Sequence, residues 1–544
     1  MNTTRKPILS LLLLTLASLC VAEPVAILGR PGAPARFILH DDVAAESSAS
    51  GVGLTAWFAE PDSFDPLPAR RPGLSWYGPG VRIVEAVLEH DGIECESLVG
   101  ADIAGRLDPS LWLFRHVRLT NHAGEKRAVR LCVEVTGAPE GAALQRGAAL
   151  VANGLVTLLM SSAPTDSRLG VEGSDLLAYD LELGAGASEE LFLGLPATPP
   201  AHEPRKLPDV RNADPTYVMR GIADWWGVRV TPGAMTLGSE LVNGAYHAAV
   251  AGLVIAAEDA DLPPLDVAQV ISALARSGHA EAVGKRLETL LREQAEGGTF
   301  AGVATTEEQA ALTSAVVDCA LYAHAPKRWG QILWGALERA ADALPDEQPS
   351  VKALHDVALV ADLIGRPERV AELRGRASAL PQGASDHAPP AWETMEDELA
   401  RQGLPGVVMD GATENVIAAA RLVREVSAAA VRGSQDLVQL LPAIPAAWGE
   451  DGPLVQLVDF PSGIGPITCA ARMEDETGRT VIVIDELPEA AEAMRVWPPA
   501  GATHSGLRFR GKPLPEEKFQ DGPPWELDAK AGNIILLTGP DSGN

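Results

Sequence analysis

The stretch Asp266-Val267-Ala268-Gln269-Val270-Ile271-Ser272-Ala273-Leu274 places apolar side chains at Val267, Val270, Ile271 and Leu274. An i, i+3, i+4, i+7 spacing is one face of an α-helix, because about 3.6 residues make a turn. Val283, Leu287, Leu290 and Leu291 keep one face at similar spacing, as do Leu312, Val316, Val317 and Leu321. Breaks at Ser277-Gly278, Gly297-Gly298, Pro326, Pro349, Gly365-Arg366-Pro367 and Pro389-Pro390 separate these patterns. Residues 215–432 therefore read as an Ala-rich helical domain of roughly ten helices, joined by connections short enough for antiparallel hairpins. No fixed period of about 33–47 residues stands out, which argues against a solenoid.

The pattern changes on both sides of this region. In Val129-Arg130-Leu131-Cys132-Val133-Glu134-Val135-Thr136 apolar and other residues alternate, the period of a half-buried strand. Val117-Arg118-Leu119-Thr120 precedes it across the turn Asn121-His122-Ala123-Gly124-Glu125, which predicts a hairpin. Apolar runs at 149–160 and 190–195 fit the same reading, so residues 23–198 predict an N-terminal β-sandwich. Pro199, Pro200, Pro204 and Pro208 punctuate a linker over 199–214. Beyond the helices, 454–458, 480–484 and 533–537 are aliphatic runs among Gly and Pro, predicting a small β-sandwich over 433–544. The expected fold is a multidomain β + α protein in the order sandwich, helices, small sandwich.

The chain has 544 residues with 44 Lys+Arg against 73 Asp+Glu, a formal net charge of −29. At roughly 150 residues per domain this length allows three or four domains. No Lys/Arg cluster is present to meet phosphates, so nucleic acid is not an expected partner, and an anionic membrane surface is opposed for the same reason. At the N-terminus Arg5 and Lys6 precede an apolar run from Ile8 to Ala17 and the small-x-small site Cys20-Val21-Ala22. This pattern is a secretory signal peptide over 1–22, too short to span a bilayer. A lipid anchor at Cys20 ranks second, because Leu19 stands where lipoprotein signals want a small residue. The mature chain, at −31 after losing two cations, is expected in the periplasm or outside the cell, with no transmembrane segment.

Cys95, Cys132, Cys319 and Cys469 remain, too few for a disulfide scaffold. Cys95 and Cys132 both fall in strand-like segments and have the placement to pair; Cys319 falls on the apolar face of a helix. No CxxC or HExxH pattern occurs, and no metal or other cofactor is expected. No G-x-S-x-G elbow, phosphate loop or dinucleotide fingerprint announces a serine hydrolase, NTPase or dehydrogenase.

The segment Leu440-Leu441-Pro442-Ala443-Ile444-Pro445-Ala446-Ala447-Trp448 follows the last helix. It resembles the Leu-Leu-Pro-Ala-Leu-Pro-x-x-Trp signature of six-hairpin glycosidases, particularly inverting α-L-fucosidase-like members. Phe114-Arg115-His116-Val117-Arg118-Leu119-Thr120-Asn121-His122 is similar to a strand and turn of their N-terminal domains. The resemblance implies a β-supersandwich, an (α/α)6 toroid of helical hairpins and a C-terminal β-sandwich, and with them glycoside hydrolysis. Where the family pattern has Asp-Gly-Asn-Phe-Gly, this chain has Asp410-Gly411-Ala412-Thr413-Glu414, so Asp410 and Gly411 match and the rest departs. The family's Asn-rich pattern early in the toroid has Leu241-Val242-Asn243-Gly244-Ala245-Tyr246-His247 as its nearest stretch.

Glycoside hydrolysis needs two carboxyl groups, one protonating the leaving oxygen and one activating water or attacking the sugar. Glu307 and Glu308 are candidates for the acid, although Thr306-Glu307-Glu308-Gln309 also reads as a capping box with Thr306 at the N-cap. Asp410 is the candidate base by the resemblance; Asp410 or Thr413 would equally serve as N-cap of a helix from Val416. Glu258-Asp259-Ala260-Asp261 lacks the spacing of a Ca²⁺ loop and reads as a solvated connection. Sugars pack on aromatic faces, which makes Trp225, Trp226, Tyr246 and Trp392, with His247 beside them, the substrate-binding candidates. Two adjacent tryptophans on an early helix more often serve interdomain packing. Three readings result: a glycoside hydrolase acting on a glycan or oligosaccharide, a non-catalytic glycan-binding or scaffold toroid, and a polysaccharide lyase using Tyr246-His247, which the acidic net charge opposes. The oligomeric state is open.

Overall fold

A computed structural model describes residues 24–538 apart from 32, 34, 68–71, 105–108, 172, 204, 231–233, 260, 382–391, 402–403, 405, 411–412, 435, 450–452, 475–478, 503, 505, 514–522 and 530–532. The expected signal peptide lies outside the described residues. Several antiparallel sheets and ten α-helices make up a mixed β and α molecule among the described residues.

Residues 24–196 form a seven-stranded and an eight-stranded sheet packed face to face. Asn153 and Gly154, with φ of 51° and 77°, turn the run 149–160 into two paired strands, the left-handed conformation that Asn and Gly tolerate best. The eight-stranded sheet is covered on both faces. Along Ser110–Asn121, Leu111 and Leu113 enter the sandwich core, while Trp112 and Phe114 enter the core shared with the helices. That double burial explains why this strand reads as a continuous apolar run rather than an alternation.

The expected hairpin between Val117–Thr120 and Val129–Thr136 is corrected. Ser110–Asn121 lies in the eight-stranded sheet and Arg127–Thr136 in the seven-stranded one, so their connection arches across the sandwich. Asn121 fixes that arch, its Nδ2 donating to the carbonyls of Glu125, Leu183 and Gly184 at 2.8, 3.0 and 3.0 Å. Cys95 and Cys132 consequently lie in different sheets, and both are free thiols. Burial pushes the Cys95 thiol up to about 11.

The helices are α1 (Pro215–Val230), α2 (Glu240–Ala256), α3 (Pro264–Arg276), α4 (Gly284–Arg292), α5 (Thr306–Leu321), α6 (Pro326–Ala343), α7 (Ser350–Leu363), α8 (Pro367–Ala379), α9 (Trp392–Arg401) and α10 (Val416–Ala430). Helices α3, α5 and α7 stand side by side, α10 packs on α2 and α3, and α6 and α8 lie against α7. Leu207 and Val210, within the Pro-rich segment, are buried in the same core.

After α10 the chain forms a four-stranded and a second seven-stranded sheet. The latter begins with Ala234–Leu237, a strand between α1 and α2, paired to Pro453–Pro461. Helices and C-terminal strands thus share one continuous core. The Leu440–Trp448 segment has a structural task there. The N–H groups of Leu441 and Ala443 donate to the last carbonyls of α10, on Ala430 and Ala429, at 2.9 and 3.3 Å. This satisfies acceptors that a helix end leaves open. Trp448 is buried and its Nε1–H donates to Glu396 of α9 at 2.6 Å, tying the strands to the helices.

Candidate functional site

Helices α3, α5, α7 and α10, with the strands that follow α10, enclose a cleft of about 990 Å³. That is the size range of small-molecule and sugar sites. Small residues open it: Ala268 of α3 and Ala310, Ala311 and Ala315 of α5 line the wall, so the Ala-rich composition leaves a space that larger side chains would fill.

Its floor is polar. Asp318 of α5 is 4% exposed and accepts from Arg276 Nε and Nη2 at 3.0 and 2.9 Å and from the Ser272 hydroxyl. Burial opposes the charge of Arg276, yet Asp318 and Tyr322 beside it hold its pKa above the ordinary value. The Arg276 guanidinium also lies 5.1 Å from the Tyr322 ring centre. One helix along, Asp356 accepts from Ser314 Oγ at 2.7 Å and from Lys352 Nζ. Burial, with Asp318 nearby, raises the Asp356 carboxyl against the pull of Lys352. Gln269 Oε1 is buried on the cleft wall with no hydrogen-bond partner.

The two neighbouring glutamates of α5 separate. Glu308 is the N3 residue of a capping box whose N-cap is Thr305, one position earlier than the sequence reading placed it. Thr305 Oγ1 accepts from the Glu308 N–H, and the Glu308 carboxylate accepts from the N–H groups of Ala304 and Thr305 at 2.7 and 3.0 Å. Those bonds, led by that from Ala304, lower its pKa. Glu307 lines the cleft and carries no hydrogen bond or ion pair among the described residues.

Asp410 lies in a short hairpin, its backbone paired to Thr413, and its side chain is outside the described residues. The N-cap of α10 is neither of them: Asn415 takes that role, its side chain accepting from the Ala418 N–H at 3.0 Å. The side chain of Trp392 is likewise outside the described residues.

The described lining of the cleft includes none of Trp225, Trp226, Tyr246 and His247. Trp226 is completely buried, and Trp225 stands edge-on to it at 4.9 Å. The Trp225 ring is covered by the guanidinium of Arg30, 3.3 Å from its centre, and by that of Arg229 at 4.4 Å. Both tryptophans therefore seal the joint between sandwich and helices. Tyr246 is 1% exposed and faces Ser277 and Ser427. His247 donates from Nε2 to the Met235 carbonyl at 3.0 Å, and burial lowers its pKa.

Arg276, Asp318 and Arg424 were missed by sequence reasoning. The signal for Asp318 was present: a carboxylate set between Val317 and Cys319 in a helical stripe that is otherwise buried. Among the described residues no helix is long and apolar enough to cross a membrane, and no group of three or more His, Cys, Asp or Glu is placed to hold a metal ion.

No family model matches the sequence, and no curated protein matches it. Solved structures give distant likenesses. A candidate kojibiose phosphorylase from human microbiome aligns at TM-score 0.32 and 8% identity, over 87% of this chain and 84% of that one. A family 92 glycosyl hydrolase, ccman5, aligns at TM-score 0.24 and 11% identity, over 66% and 61% of the two chains. A polysaccharide lyase aligns at TM-score 0.19 and 11% identity, over 65% and 74%. At these TM-scores the likeness carries no argument for the chemistry of this chain.

Proposed function

We propose that this is an exported, glycan-acting protein of glycoside-hydrolase type whose site is the cleft between α3, α5, α7 and α10. The observation that carries the reading is the convergence of polar side chains from four helices and the following strands on one cleft. Glu307 stands in it as a carboxylate with no hydrogen bond or ion pair among the described residues. A sugar hydroxyl is the natural donor for such a group. The arrangement of α3, α5, α7 and α10 about the cleft, with α6 and α8 outside, is compatible with a helical toroid, and the Leu440–Trp448 motif supports the six-hairpin reading. Glu307 is our proposed acid; Asp410, the base that the resemblance implies, stands in a hairpin beside the strand Pro24–Leu28 and outside the described lining of the cleft.

The test is hydrolysis of a panel of aryl glycosides, α-L-fucoside included, by the wild-type chain, Glu307→Gln and Asp410→Asn. General acid–base catalysis contributes about 10²–10⁴-fold, so Glu307→Gln is expected to lose at least a hundredfold in kcat with its melting temperature unchanged, and the same loss in Asp410→Asn would place part of the chemistry outside the cleft. Full activity in Glu307→Gln would remove the cleft from the chemistry. A second reading, a glycan-binding protein without turnover, is favoured by one specific observation: Asp318, the buried carboxylate of the cleft, and Asp356, one helix along, are both committed to ion pairs. Glycan binding with no turnover on any glycoside would select it.

A further inference from the structure

The cleft opposes the charge of the molecule that contains it. The chain carries −29, yet five cationic side chains and three carboxylates line the cleft among the described residues. Most of these charges are answered locally. Arg276 is held by Asp318, Lys352 by Asp356, and Arg421 by Glu425 at 2.7 Å, while Arg432 donates to the Ala428 carbonyl at 2.8 Å.

Arg424 is not answered. Its guanidinium, on the face of α10 that lines the cleft, makes no hydrogen bond and no ion pair among the described residues. Its nearest charged neighbours include two further cations, Arg276 and Arg421, with Asp318 and Glu425 beyond contact distance. Burial, and then Arg276, lowers its pKa. A partly desolvated guanidinium held next to other cations costs stability unless an anion reaches it. A guanidinium fork also matches a carboxylate or sulfate two-pronged.

We propose that the cleft takes a glycan bearing an anionic group, a carboxylate or a sulfate, and that Arg424 is the residue that holds that group. The proposal rests on the reading of the cleft as the glycan site. It also separates the local field from the net charge: an acidic chain can receive an acidic ligand where its own carboxylates are neutralised, because screening confines distant charges to within about 8 Å at physiological salt.

The test is isothermal titration of the full chain and of Arg424→Gln with trigalacturonate, a sulfated galactotriose and uncharged galactotriose. We expect the wild type to bind at least one anionic probe ten times or more tighter than the uncharged one, with affinity falling as salt is raised. The arm that binds identifies carboxylate or sulfate. Arg424→Gln is expected to abolish that preference, while its ligand-free melting temperature holds or rises; a merely structural arginine would lower it. Equal affinity for all three probes overturns the anionic proposal and leaves the cleft as a glycan site. An anionic preference that survives in Arg424→Gln overturns the role of Arg424. No binding of any probe overturns both this proposal and the reading it rests on.

Discussion

His279 is 3% exposed, its Nδ1 3.0 Å from the Ser277 hydroxyl. Burial, with His247 close by, drops its pKa to about 4. An unfolded histidine titrates near 6.5, so between these values the unfolded chain binds the extra proton. Stability from neutral His279 is therefore complete above about pH 6.5 and is lost as the pH falls towards 4. Melting temperatures of wild type and His279→Asn measured from pH 7 to 4.5 should converge as the pH drops; parallel curves would show that His279 is not the group responsible. The same burial explains why Trp226, Tyr246 and His247 are absent from the described lining of the cleft. Trp226, Tyr246 and His247 are residues whose type suits a sugar site, and type alone does not reveal which side of a helix faces a neighbouring sheet.

At the scale of elements, helix existence was legible and helix starts were not. The stripes at Val267–Leu274 and Leu312–Leu321 lie in α3 and α5, because a stripe wide enough to bury admits one period. The caps slipped: Thr305 rather than Thr306, one residue earlier, and Asn415 rather than Thr413 or Asp410, two or five residues later. Adjacent Thr305 and Thr306 offer the same hydroxyl, and only backbone geometry chooses between them. Thr305→Ala is expected to destabilise the protein by about 1 kcal/mol in urea unfolding, the usual cost of a lost N-cap, while Thr306→Ala costs less. Equal losses would mean the capping box contributes nothing. The arch at Asn121 teaches the same lesson for strands, since a five-residue turn joins partners within a sheet or across a sandwich equally well.

At the scale of the molecule, a buried ion pair spans the parts. Arg82, 1% exposed in the sandwich, donates to both oxygens of Glu414 at 2.6 and 3.0 Å and to the Ala248 carbonyl of α2 at 2.9 Å. Glu414 also accepts from the Ile27 N–H at 3.0 Å. Gly252 permits this approach, since a Cβ there would overlap both side chains. Removing one partner of a buried pair strands the other, at a cost of roughly 3–5 kcal/mol. Glu414→Ala should therefore lower stability by that order and split thermal unfolding into separate transitions by calorimetry; a single unshifted transition would show that the pair does not couple sandwich to helices.

The succession of strands, Ala-rich helices and strands again, together with a motif that closes the last helix, is legible in the chain before it folds. Those features depend on local periodicity and on residues near one another in the chain. Folding alone settled which strands share a sheet, which of two adjacent glutamates faces a cleft, and that Arg424 stands there unpaired beside Arg276. Such facts arise when residues about 150 positions apart meet, and a one-dimensional pattern carries no record of the partner a charge will find or lack.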